Sequence, residues 1–205
     1  MENPAASGAS ERDPALTPAL EQAARFRVAA LLLSLPGPEV ASEVAEVASC
    51  LAEPVRAEVF AVSEAMRTAR DLEADYHRLM GPGGACAAAE SDHDPAACCN
   101  KGPLLADVRA FYKAFAFDEQ AVARGEALDH VSTECAFMAY LHFKAAHALF
   151  VQDDEAASVT RQAIRSFRRD HLDPFLARFF PRLSDAARGH PVYERIAPLA
   201  QALAT

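Results

Sequence analysis

Acid and imidazole groups gather in the stretch Glu126-Ala127-Leu128-Asp129-His130-Val131-Ser132-Thr133-Glu134-Cys135-Ala136-Phe137-Met138. Two kinds of chemistry fit this pattern. In the first, Asp129 opens a helix, its carboxylate accepting hydrogen bonds from the free amides of His130 to Ser132, while His130 fills the first turn. In the second, Asp129, His130 and Glu134 form a polar rim beside Phe137 and Met138, suited to a basic, partly apolar peptide. His130 and Glu134 stand one turn apart and can share a face. The two roles are compatible, and both stay open at this level.

Groups for covalent or metal chemistry are sparse. Gly81-Pro82-Gly83-Gly84 lacks the GxxxxGK[ST] pattern and follows a helix rather than a strand, so it reads as a helix stop and not a phosphate cradle. Cys86, His93, Cys98 and Cys99 are four soft ligands in one loop, which makes a metal-binding or redox assembly helper the alternative function. Against it, adjacent cysteines seldom both bind one tetrahedral ion, and CxxC spacing is absent. No paired nucleophile and base stands out. The expectation is a protein that is not an enzyme and carries no cofactor or resident metal.

Charge narrows the partners. With 29 acidic and 20 basic residues the formal net charge is -9, which repels nucleic acid and anionic membrane and favours a cationic partner. The basic run Arg161, Arg165, Arg168 and Arg169 has the spacing of a wet helix face. The start of the chain lacks a basic segment followed by an apolar run, and the apolar stretch Val28 to Leu35 is far shorter than the roughly 20 residues that span a bilayer. A cytoplasmic protein without stable membrane insertion is expected. The five cysteines are then thiols, with Cys50 and Cys135 read as small core residues.

These side chains must be positioned by helices. Residues 1–18, rich in proline and small polar residues, read as a flexible tail, and 19–205 as a single all-α domain, a helical bundle. Phe26, Ala30 and Leu33 mark one stripe, ended by Pro36-Gly37-Pro38. Val55, Val59, Val62, Met66, Ala69, Glu73, Tyr76 and Met80 predict one long helix, interrupted on its inner face by Glu73. A long surface loop follows at about 81–103, of a length that is usually functional or disordered. Helices are then predicted at 104–117, at 130–151 as the central element, and at 155–170, 174–180 and 191–203. No segment alternates convincingly as a strand.

The segment from Glu126 to Met138 resembles the E-x-P-D-H-x-x-x-E-x-x-F-M signature of the TorD/DmsD family, the redox enzyme maturation proteins. Asp75-Tyr76-His77-Arg78-Leu79-Met80-Gly81 is similar to that family's Y-x-x-L-F-x-G helix end, and Glu90-Ser91 falls where it has P-Y-E-S or P-Y-E-T. Phe111-Tyr112-Lys113-Ala114-Phe115 resembles F-Y-x-A-F-G, and Phe167 to Phe175 resembles F-x-x-x-H-L-x-x-W. The likeness spans roughly residues 22 to 203. It implies a TorD-like helical bundle that binds the leader, often a twin-arginine signal peptide, or the body of the catalytic subunit of a molybdopterin oxidoreductase until cofactor insertion and folding are complete. The implied chaperone is a monomer or homodimer. Its implied client-binding set is Asp129, His130, Glu134, Phe137 and Met138, with Glu126, Glu90 and Ser91, while His171 lies nearby or caps a helix junction. The chain departs from the pattern at Leu128 for proline, Ala116 for glycine and Phe175 for tryptophan, all read as packing changes, and at Ala88-Ala89 for Pro-Tyr in the loop.

Overall fold

The computed structural model describes residues 15–97, 99–119 and 126–205. Among them the chain is all-α: α1 (Leu16–Leu32), α2 (Val40–Ala48), α3 (Val55–Thr68), α4 (Leu72–Leu79), a 3-10 turn (Glu90–Asp92), α5 (Gly102–Ala114), α6 (Val131–Phe150), α7 (Asp154–Phe167), a π-turn (Arg168–Leu172), α8 (Asp173–Ala186) and α9 (Tyr193–Ala204). The only β-type bridge among these residues is an isolated one between Ala89 and His130. Most of the expected tail lies outside the described residues, and α1 begins at Leu16, just inside it.

Helices α1 and α6 form the axis of the bundle. They pack on each other more extensively than any other pair, with α7 against α6 and α9 against α1. Phe26, Ala30 and Leu33 point inward as their spacing predicts, and Leu33 closes α1 ahead of Pro36. α6 is buried without interruption from Val131 to Ala139, as an element surrounded by others must be. Its outward end is different: Phe143 and Phe150 are exposed.

The long helix predicted from Val55 to Met80 is two helices. Ala69 is extended and Asp71 adopts a left-handed conformation, φ 57°, between α3 and α4. The phase of the apolar pattern explains the break. A continuous helix would bury Glu73 and turn Leu72 aside; the break puts Glu73 in water and buries Leu72, Tyr76 and Leu79. Cys50 also corrects an expectation, since α2 stops at Ala48 and leaves this thiol exposed in the turn; Cys135 is buried as expected.

Between α7 and α8 the predicted gap is a π-turn that keeps the chain helical throughout. Pro174 has no N–H to give the carbonyl four residues back, and a wider turn accommodates that loss. The turn buries His171 and Leu172 next to Phe167 and Phe175.

Candidate functional site

The loop after α4 turns inward rather than lying on the surface. Gly81 starts it at a spot where a Cβ would sit 2.7 Å from the carbonyl oxygen of His77. Cys86, Ala88, Glu90, Ser91, His93 and Ala97 are all buried. The small side chains of Ala87, Ala88 and Ala89 let its backbone reach the entrance of α6. There the Val131 amide donates to the Ala88 carbonyl at 2.8 Å, and the Glu90 amide to the Asp129 carbonyl at 2.8 Å.

Asp129 does not cap α6. Its Oδ2 accepts the Ser91 amide at 3.0 Å, so the carboxylate anchors the returning loop. The cap is His130, whose Nδ1 accepts the Ser132 amide at 3.1 Å. An acceptor Nδ1 leaves the ring proton on Nε2, which faces the Tyr76 hydroxyl at 2.9 Å. Tyr76 in turn bonds the Glu126 carboxylate, which also accepts the Leu35 amide at 2.6 Å. Burial holds the His130 imidazole down to about 4, with the neighbouring Asp129 carboxylate pulling the other way, so the ring is neutral at physiological pH. The Tyr76 phenol is pushed well up by burial and by Glu126.

Deeper inside, Glu134 has no exposed surface, and neither of its oxygens receives an N–H or hydroxyl donor from the described residues. Its carboxyl faces that of Glu90. Burial first, and Glu90 second, drive it well above the usual carboxylate range, which favours the protonated form. Phe137 and Met138 are fully enclosed, Phe137 packing against Tyr112, Phe117 and Phe167 with ring centres 4.7, 5.2 and 4.9 Å apart. Of the eight client-binding candidates, Asp129, His130, Ser91 and Glu126 line a common pocket; Glu90, Glu134, Phe137 and Met138 stand behind it.

That pocket, of about 590 Å³, has mainly apolar walls from Leu35, Met80, Ala88 and Leu105, with Tyr76 and the acid and imidazole groups at its floor. Lys101 and Asp92 form an ion pair at its edge. The sequence gives no role to Leu35 or Leu105, whose convergence depends on the loop fold. A second, larger groove of about 880 Å³ lies on another face between α1, the α2 to α3 turn and α6, lined by Leu20, Ala24, Leu51, Ala139 and Phe143.

Of the soft-ligand residues, Cys86 and His93 are otherwise engaged. The Cys86 thiol points at the Phe179 carbonyl, 3.6 Å away, and burial pushes it up to about 11. His93 Nε2 donates to the Ala87 carbonyl at 2.7 Å, its ring packs on Phe175 and Phe179, and Arg182 approaches Nδ1. Cys99 is exposed and Cys98 lies outside the described residues. Among the described residues no three His, Cys, Asp or Glu side chains are arranged to hold a metal ion.

The described residues thus form an all-helical bundle with an apolar pocket floored by acid and imidazole groups. The family model for the nitrate reductase delta subunit matches residues 38–181, and the chain belongs to that family. The family is one of chaperones for molybdoenzyme assembly. No curated protein gives a significant match. Among the described residues no helix is long and apolar enough to cross a membrane.

Proposed function

We propose that this chain is a non-enzymatic cytoplasmic chaperone that holds a segment of the catalytic subunit of a molybdopterin oxidoreductase, its N-terminal leader or the adjoining body, until cofactor insertion and folding are complete. The observation that carries this reading is the pocket between the loop and the entrance of α6. Its apolar walls suit the nonpolar side chains of a peptide, and Glu126, Asp129 and Asp92 outnumber Lys101, which suits a basic one. The buried residues behind the pocket hold its floor rigid and need not touch the client.

A second reading of the same function uses the larger groove, favoured by Phe143 and Leu20, which stand 56% and 43% exposed beside it. A photoreactive amino acid at Leu105 or at Phe143, in the native host, separates the two. Capture of the catalytic subunit from position 105 alone supports the pocket; capture from 143 alone moves the client to the groove; capture from neither contradicts the chaperone reading.

A further inference from the structure

One loop segment divides two cavities. Ala87, Ala88, Ala89, Ser91 and Asp92 face the pocket described above, whereas Glu90 turns the other way into a polar cavity of about 410 Å³ whose lining includes Asp94, Asp107, Asp170 and His171. Glu90 is tied there by His171, whose Nδ1 lies 3.2 Å from each of its carboxylate oxygens. On the far side of the ring Nε2 lies 3.2 Å from Asp107 Oδ2. A carboxylate at each nitrogen requires a proton on each nitrogen, so this geometry is that of an imidazolium.

The charged side chains facing His171 are mostly acidic. Glu90 faces it from the 3-10 turn and Asp107 from α5, with Asp170 on its own segment and Asp94 across the cavity. Behind Glu90 stand Glu134 and Asp129 from the α6 entrance and the Tyr112 hydroxyl from α5. The nearby cations are themselves paired, Arg168 with Asp173 and Arg169 with Asp170. Phe111 and Phe167 pack on the ring and keep water away, leaving His171 only 4% exposed.

We propose that His171 is a pH-sensitive latch on the pocket wall: as an imidazolium it bridges Glu90 to Asp107 and pins residues 87–92 against the α6 entrance, and on losing its proton it releases that wall. A neutral ring has a single N–H and can serve one carboxylate but not both. The consequence for client grip rests on the reading of the pocket as the client site; the latch itself does not. Burial alone would lower the proton affinity of this imidazole, but Glu90 and Asp107 outweigh it and the net direction is upward from 6.5. The latch is therefore fully closed below that value and is lost as pH rises through the higher folded one.

Hydrogen exchange on the full chain tests this, with rates corrected for the intrinsic pH dependence of exchange. The amides of Glu90, Ser91 and Val131, which pair with Asp129 and Ala88, lose protection by at least about tenfold between about pH 6 and pH 9, whereas the interior amides of α6 such as Leu141 do not. Asp107→Asn changes a side chain that is mostly exposed, so the fold survives, and it shifts the loss of protection to lower pH. Unchanged protection of the three amides across this range, or a midpoint that Asp107→Asn leaves in place, overturns the latch. Affinity for a leader peptide, measured in parallel, judges the pocket separately: an affinity that stays constant while the wall loosens contradicts the client site and not the latch.

Discussion

Glu134→Gln replaces a carboxyl whose burial favours the protonated form with an amide of the same shape, so at about pH 4 it costs less than about 1 kcal/mol, whereas Glu134→Ala leaves a cavity and costs roughly 2–4 kcal/mol. Urea unfolding separates the two. The glutamine variant also gains on the parent chain as pH rises above 4.5, because a raised acid binds a proton in the folded state that the unfolded state has released, and this lowers the parent's stability. Histidine acts in the opposite sense. Burial holds His142, stacked on Phe26 at 5.5 Å, down to about 4, with Arg168 adding to the effect. Its contribution is present above 6.5 and lost as pH falls towards the folded value. His142→Leu therefore flattens the acid limb of a stability profile by roughly 1–3 kcal/mol. At this scale the sequence shows which residues are chemically special but not which way they face. An Asp-His pair before an apolar run reads identically whether it meets water or a returning loop, and only the inward fold of residues 86–93 makes His130 the cap and Asp129 the loop anchor. For that reason Asp129→Ala with His130→Ala would remove an anchor and a cap together, and would report on folding as much as on binding.

Helix existence and type were legible from periodicity in most of the chain, since Phe26, Ala30, Leu33, Val59, Val62 and Met66 are all buried as their spacing predicts. Breaks were less legible, because a one-residue phase slip at Leu72 and Glu73 hardly alters the apolar periodicity. The π-turn at Arg168–Leu172 was hidden for the same reason: it continues the helix rather than ending it. Ala116 shows the value of a departure from a family pattern. It takes a left-handed conformation, φ 54°, directly after α5, where the related signature has glycine. The departure is thus one of backbone strain and not of packing. Ala116→Gly relieves a left-handed alanine at the cost of a looser unfolded chain, and is expected to raise stability by about 0.5–1 kcal/mol in thermal or urea unfolding.

At the scale of the whole molecule, the order and spacing of short motifs pointed to the maturation chaperones, and the family match over residues 38–181 agrees. The pocket itself was only half legible. Glu126, Ser91, Asp129 and His130 came from the motif, but its apolar walls are assembled from the turn after α1, the end of α4, the loop and α5, segments far apart in sequence. Those walls supply the most direct test. Leu105 is half-buried on α5 and holds no cap, anchor or core position, so Leu105→Glu should leave helicity and melting essentially intact. The measurement is the affinity of the parent chain and of this variant for a synthetic peptide with the N-terminal sequence of the molybdoenzyme catalytic subunit that photo-crosslinking captures in the native host. The account predicts at least a tenfold weakening, about 1.4 kcal/mol, for the variant, with binding by the parent that falls as salt rises. Equal affinity of the two chains, or no binding of the peptide by either, would contradict it.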